Sequence, residues 1–469
     1  MTKVALVFRT IGERTSDLSL ELARENIRPD EVHVLENTRP FTQTVQRMLD
    51  IDYASDFVVA VDADCLIYQD LRPFLDRNRE PYVDCYVHDR FRGRIHCGVH
   101  ITRADVMRKM RELPPPAGDE AYVLRPESRR RKLALNALGH QKCYKSFRIY
   151  HDHFQWLRDV WAKYALRELR SRTVEQRRGL EAALVRWRES PVVELRVAEA
   201  AVRWAAKEVP LGTPADVLAR TIASLQEVAP RALVQMGFEE RGPLTRDEVD
   251  AFVAEHVREV PPFRSKHRVF GLGLSRTGTR SLTAALHVLG IDTVHYPIDD
   301  DSLRAMTSGR LDFGLLETFD GLTDITVSPY YAQLERQHPD AKFVLTLRDK
   351  QSWLRSCEAH WGKRDPWQVP RSEAESTHMK VRRFLRAAVY GCYDFDAERF
   401  SLVYDQHVAH VRDYFRDKPG KLLELDIVGG HGWDELCAFL GRPRPVQPFP
   451  HKGGVMSARA DDEVGDPDD

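Results

Sequence analysis

Val269-Phe270-Gly271-Leu272-Gly273-Leu274-Ser275-Arg276-Thr277-Gly278-Thr279-Arg280-Ser281 reads as a buried strand, a short loop of small residues and the opening of a helix. The strand is predicted over Val269–Leu274, and the helix over Ser281–Leu289, closing at Gly290. A loop at a helix N-terminus presents free backbone N–H groups and the positive end of the dipole. Small side chains let that backbone approach an anion closely, so the predicted ligand is a phosphate or a sulfuryl group. A tight strand-to-helix turn without a ligand is the alternative. A Walker A loop places Lys and then Ser or Thr after its second glycine. Gly273 and Gly278 have the right spacing, but Thr279 and Arg280 stand in those places. A magnesium-dependent P-loop nucleotide kinase is therefore the disfavoured alternative.

A second motif lies downstream. Lys342-Phe343-Val344-Leu345-Thr346-Leu347-Arg348-Asp349 is an apolar strand ending at Arg348, followed by Trp353 and Ser356. Asp349 is placed to cap the next helix. An arginine at the strand end and a serine early in that helix can converge on one phosphate, although a lone arginine there is more often a surface ion pair. A third run closes the region: Trp433-Asp434-Glu435-Leu436-Cys437-Ala438-Phe439-Leu440-Gly441, then Pro448-Phe449-Pro450-His451.

Ser275–Ser281 resembles the 5′-phosphosulfate loop of sulfotransferases that use 3′-phosphoadenosine 5′-phosphosulfate (PAPS). Arg276 stands where that family has its basic residue, while Ser275 replaces the usual proline and Arg280 a small hydroxyl residue. Arg348 with Ser356 resembles the family's 3′-phosphate site, and the third run is similar to the closing segment of one branch. The resemblance spans Lys266 to Gly454. It implies that PAPS is held by Ser275, Arg276, Thr277, Gly278, Thr279, Arg280, Ser281, Arg348 and Ser356, with Lys452 and Gly453 closing over the nucleotide. It also implies in-line sulfuryl transfer to a hydroxyl or amine without a metal, Arg276 and the helix N-terminus stabilising the moving charge. The acceptor needs a general base. Asp324 lies close to where cytosolic members have a catalytic histidine; His295 is the rival and Glu317 the third candidate.

Towards the N-terminus, Phe57-Val58-Val59-Ala60-Val61 runs straight into Asp62-Ala63-Asp64. Residues i and i+2 of an extended chain point the same way. Two carboxylates so placed can chelate one divalent cation, which can neutralise a diphosphate leaving group. A surface acidic turn is the alternative. Strand-like runs at Val4–Phe8, Glu31–Leu35, Tyr82–Val87 and His96–Ile101, with a helical pattern at Ser16–Asn26, set this motif in an α/β sheet. The arrangement, from Lys3 to Phe154, resembles GT-A-type glycosyltransferases. That resemblance implies a nucleotide sugar contacted by Arg9, Thr10, Glu36, Asp62 and Asp64. It further implies Mn²⁺ or Mg²⁺ on Asp62, Asp64 and His153, and an acceptor-side strand at Cys97-Gly98-Val99.

The 469 residues suit about three domains by a rule of roughly 150 each. Apolar residues at 42% and charged residues at 30% fit globular domains with real cores. Lys+Arg 70 against Asp+Glu 71 leaves a net charge of -1, which excludes nucleic-acid or anionic-membrane binding driven by bulk charge. No apolar run is long enough to span a membrane, and the N-terminus does not read as a signal peptide. Seven scattered cysteines without a C-x-x-C pattern point to a reducing cytoplasm and to buried thiols. From Trp156 to Val260, Leu, Ala, Val and Trp recur at helical spacing among Arg and Glu, and Trp156, Trp161, Trp187 and Trp204 are read as packing.

The fold class read from these patterns is α/β. Two three-layer α/β domains are predicted, a GT-A-like nucleotide-binding sheet and a P-loop-like parallel sheet of sulfotransferase type, joined by a helical region. The divisions are residues 1–155, 156–262, 263–456 and an acidic tail, 457–469, with no fixed structure. The function expected is sulfation of a glycan or glycoconjugate by PAPS, with sugar transfer by the first domain. The alternative is a sulfotransferase whose first domain only binds carbohydrate.

Overall fold

The computed structural model describes residues 2–38, 41–91, 96–114, 122, 125–171, 174–188, 190–210, 213, 215–256, 267–361, 376–445 and 447–452. The first sheet has seven strands: Val4–Thr10 (β1), Glu31–Glu36 (β2), Phe57–Asp62 (β3), Cys65–Ile67 (β4), Tyr82–Asp89 (β5), His96–Arg103 (β6) and Cys143–His151 (β7). Their order is β2-β1-β3-β6-β5-β7-β4. β1 runs parallel to β2 and β3, whereas β6 is antiparallel to both β3 and β5. The continuous apolar runs of β1 and β3 are explained by burial on both faces. Leu6, Phe8, Val59 and Val61 enter one core, and Ala5, Val7, Val58 and Ala60 enter another. β4 and β7 are not among the predicted strands. In β7, Lys145, Ser146 and Arg148 interrupt the apolar pattern, and Lys145 and Ser146 are buried because their partner is Asp292 of the second sheet.

The second sheet is parallel throughout. Val269–Gly271 (β8), Thr293–His295 (β9), Gly321–Thr323 (β10), Lys342–Thr346 (β11) and Leu422–Leu425 (β12) lie in the order β12-β11-β8-β10-β9. β8 ends at Gly271 rather than at Leu274, and the helix starts at Thr279 rather than Ser281. Gly321 is required where β10 meets β8, since a Cβ there would collide with the Val269 carbonyl.

The two sheets abut directly and share one hydrophobic core. Ser146 donates from its N–H (3.0 Å) and its hydroxyl (2.6 Å) to the Asp292 carboxylate, and Lys145 Nζ lies 2.9 Å from the same group. Tyr86 and His287 are hydrogen-bonded across the junction at 3.1 Å. The helices Leu157–Arg170, Val174–Arg188, Val193–Glu208, Ala215–Gln235 and Arg246–His256 join the units in sequence, but they pack laterally on the first one. The first four build a separate core around Trp161, Trp187 and Phe91, while Val249 and Val253 pack on Leu22 and Tyr150. Trp161 and Trp187 are buried, and Trp204 packs on Trp161 with ring centroids 4.7 Å apart. All seven cysteines are free, and six are buried. Among the described residues no helix is long and apolar enough to cross a membrane.

Candidate active sites

In the second unit the carboxyl ends of four adjacent strands converge, the usual place for a ligand in an open parallel sheet. The small-residue loop follows β8, His295 ends β9, Asp324 follows β10, and Arg348 follows β11. The loop is tightly built. A Cβ on Gly273 would collide with the Thr346 hydroxyl and lie 2.6 Å from that of Thr277. Thr277 is buried, its hydroxyl bonded to the Leu274 carbonyl (2.7 Å) and to Thr346 (2.6 Å). It therefore shapes the loop from within. Ser275 is held on both sides: its N–H donates to the Tyr390 hydroxyl at 3.2 Å, and its carbonyl accepts from Trp353 Nε1 at 2.8 Å. Arg276 sits at φ +71°, an uncommon region for a residue with a side chain, and Gly278 at +102°.

Two guanidinium groups come to this loop, and among the described residues their hydrogen-bond partners are neutral. Arg276 Nε donates to Ser356 Oγ at 3.2 Å. Arg348 donates from Nε and Nη2 to Ser352 Oγ at 3.1 and 2.9 Å, and from Nη1 to the Arg276 carbonyl at 3.2 Å. Burial, and then the nearby Arg276, push the Arg348 guanidinium below its usual pKa. The sequence reading paired Arg348 with Ser356. In the structure Ser352 takes that place and Ser356 serves Arg276. The reason is helical geometry, since two serines four residues apart share one face of the helix Lys350–Trp361, each below a different arginine. Asp349 Oδ1 caps that helix by accepting from Ser352 N–H at 2.8 Å.

His295 and Asp324, rivals in the sequence reading, are partners in space. His295 Nε2 lies 3.0 Å from Asp324 Oδ2 and 3.1 Å from Thr279 Oγ1. Burial opposes charge on Asp324, but His295, its own neighbouring N–H and Ser275 hold its pKa below the usual range. Asp324 is therefore a fixed carboxylate, and its 3.4 Å bond from Ser275 Oγ ties it to the loop. Glu317 is exposed on a short 3₁₀ turn and makes no part of this cluster. Ser281 Oγ accepts the Lys452 N–H at 2.8 Å, so the closing segment reaches the helix N-terminus. Arg280 is half-buried in the first turn of that helix, and Gly453 lies outside the described residues. The sequence reading does not include Ser352, Tyr390 or His360, and it names Trp353 without its role of holding the Ser275 carbonyl. Burial, then Arg276, Arg382 and Arg386, lower the His360 pKa to about 4, which marks this side as cationic.

In the first unit the pair Asp62 and Asp64 is divided. The chain turns at Ala63–Asp64, so the alternation of an extended strand stops at Asp62. Asp62 Oδ1 takes Arg9 Nε at 2.7 Å, and Arg9 Nη1 bonds Glu127 Oε2 at 2.5 Å. Arg9 is thus a buried bridge and not an exposed ligand contact. Asp64 Oδ2 takes Lys163 Nζ at 3.1 Å and faces His151 Nε2 at 3.5 Å. Lys163 Nζ also bonds Asp152 Oδ1 at 2.6 Å, and His151 Nδ1 lies 2.8 Å from Asp89 Oδ2. Burial alone would lower the His151 pKa, but Asp152 and Asp64 outweigh it and raise it to about 10.

His153, the predicted third ligand, is buried among Tyr150, Phe154 and Phe252 instead, and burial lowers its pKa to about 3. The neighbouring His151 has the place beside Asp64, because β7 ends there and the chain reverses at Asp152, φ +61°. Asp62 carries Arg9, and Asp64 and Asp152 share Lys163, so these carboxylates are neutralised by side chains of the chain itself and, as folded, do not fit a divalent cation. Thr10 bonds Glu13 (2.8 Å) and Ser16 (2.7 Å), and Glu36 is exposed at the end of β2.

Comparison with known proteins bears on the second unit. Residues 268–454 match the family model for a sulfotransferase domain. The C-terminal unit carries a sulfotransferase domain. A protein of Aspergillus versicolor named Ava biosynthesis cluster protein M is 28% identical over 214 residues, 39% of this chain and 80% of that relative. Similar solved structures include a glycosyltransferase involved in glycosylation of the major capsid of PBCV-1, at 10% identity and TM-score 0.23, covering 32% of this chain and 94% of that one. Another is a 4-diphosphocytidyl-2C-methyl-D-erythritol synthase from Anaerococcus prevotii, at 7% identity and TM-score 0.23, covering 32% of this chain and 90% of that one. The first unit is argued from its own residues.

Proposed function

We propose that the chain is a PAPS-dependent sulfotransferase acting on a hydroxyl or amine of a glycan or glycoconjugate, with a first domain that handles a nucleotide sugar. The observation that carries this reading is the arginine pair. Arg276 and Arg348 adjoin at the mouth of a loop that opens a helix, Arg276 bonded to Ser356 and Arg348 to Ser352 and the Arg276 carbonyl. Neither makes an ion pair among the described residues, and two such cations side by side are stabilised by a dianionic ligand. Arg276, the Thr279–Ser281 N–H groups and Ser275 would hold the 5′-phosphosulfate end. Arg348 and Ser352 would hold the 3′-phosphate, and Lys452, whose N–H is bonded to Ser281, would close on the phosphosulfate end. PAPS when bound supplies the activated sulfuryl group and a phosphate leaving group. His295, held by Asp324 and Thr279, takes the acceptor proton, and Asp324 positions the ring and stabilises its charge.

In this reading residues 263–456 form the sulfotransferase domain, 156–262 the helical region and 1–155 the sugar-handling domain. Seven free cysteines support a reducing, cytoplasmic setting. Incubation with PAPS and a panel of glycans, read as a sulfate mass shift, tests the activity; the shift is expected in the native chain and absent in Arg276→Ala. The cationic partners of Asp62 and Asp64 favour a second reading of the first domain as a carbohydrate-binding unit without transfer. Hydrolysis of a nucleotide sugar by the native chain, lost in Asp64→Ala, would decide against it.

A further inference from the structure

The acidic centre of the first unit contains a cation of its own. We propose that the Lys163 ammonium stands in for a divalent ion between Asp64 and Asp152, so that this unit binds no catalytic metal and whatever it binds or transfers is handled without one.

Three observations carry this. Lys163 Nζ is hydrogen-bonded at 3.1 Å to Asp64 and at 2.6 Å to Asp152, two carboxylates from different parts of the chain. An ammonium that donates to both occupies the position a shared ion would take. The donors around it otherwise form a chelating set: carboxylate, thiol or ring atoms of Asp64, Cys65 and His151 lie within 4.8 Å of one another, as do those of Asp89, His151 and Asp152. The donors are thus gathered close together and already neutralised from within by Lys163. Finally, Lys163 is on the helix Leu157–Arg170, whose buried residues Trp161, Tyr164 and Ala165 anchor it in the lateral core. The lysine is therefore delivered by a rigid element, and the helical region has a part in the site. Its side chain is 45% exposed. The inference does not depend on the sulfotransferase reading of the other unit, nor on which sugar nucleotide is bound.

The test is Mn²⁺ binding to the full chain, followed by electron paramagnetic resonance and calorimetry. The native chain is expected to show no Mn²⁺ site at this centre. Lys163→Met keeps the aliphatic stem and removes the charge, and Lys163→Ala is the companion should Met pack badly. Either is expected to gain one Mn²⁺ site, at least ~10-fold tighter than any binding by the native chain. Adding Asp64→Asn is expected to abolish the gain, with circular dichroism unchanged throughout. A native chain that binds Mn²⁺ tightly and loses it in Asp64→Asn would overturn the proposal. So would folded Lys163 variants that gain no site.

Discussion

Removing Arg348 tests the division of labour between the two arginines. In the structure Arg348 reaches Ser352 and the Arg276 carbonyl, while Arg276 reaches Ser356, so the two cations serve adjoining but separate positions. A charge-assisted hydrogen bond to a phosphate contributes about 1.5–3 kcal/mol. Arg348→Ala should therefore weaken binding of 3′-phosphoadenosine 5′-phosphate by ~10- to 150-fold. Adenosine 5′-phosphosulfate lacks the 3′-phosphate, and its affinity should change less than ~3-fold in the same variant. Arg276→Ala should weaken both ligands. Titration calorimetry at one fixed salt concentration measures all four affinities, since phosphate contacts are screened by salt. Equal losses for both ligands in Arg348→Ala would refute the assignment of Arg348 to the 3′-phosphate. No loss for either would remove the arginine pair as the nucleotide site.

Other consequences follow from individual contacts. His295→Asn should lower kcat for sulfation by ~10²- to 10⁴-fold and leave nucleotide affinity within ~2-fold, a kinetic split that a folding defect would not give. Gly273→Ala would drive a methyl group into the Thr346 and Thr277 hydroxyls. A loss of about 1–3 kcal/mol in denaturant unfolding and a weakened nucleotide site are expected. Glu80 is buried beside the Cys143 thiol, and burial, then Asp299, raise its pKa from 4.5 to about 7. The folded chain holds this proton where the unfolded chain has released it. Its stabilising contribution is thus present below pH 4.5 and lost as pH rises to about 7, on the order of 3 kcal/mol in all. Glu80→Gln should flatten the melting temperature across that window, and an unchanged profile would discount the buried acid.

Much of the architecture is legible in local pattern. β1, β3 and β11 are continuous apolar runs, and a run of that length bounded by polar residues has few other folds open to it. β4 and β7 are not legible. β4 is three residues long, and β7 carries Lys145 and Ser146 inward toward an aspartate that lies far along the chain. Of the candidate residues, Arg276 and Arg348 could be read because a strand end and a helix start fix their places. Ser352 could have been found from the same helix, since it is four residues after Arg348. His153 misled because the strand ends at His151 and the chain reverses at Asp152, φ +61°, so the same-side rule for residues two apart fails there, and only the fold shows that His151 is the one beside Asp64.

From the amino-acid order alone come the two α/β units, the small-residue loop that lacks the lysine of a nucleotide kinase, and the arginines that flank it. Each depends on neighbours within a few residues, where propensity and spacing act. The pairing of His295 with Asp324, the direct docking of the two sheets, and the lysine between Asp64 and Asp152 belong to the tertiary structure. Lys163 stands 99 residues from Asp64, and a contact over that separation exists only because a lateral helical core holds one charge against the other.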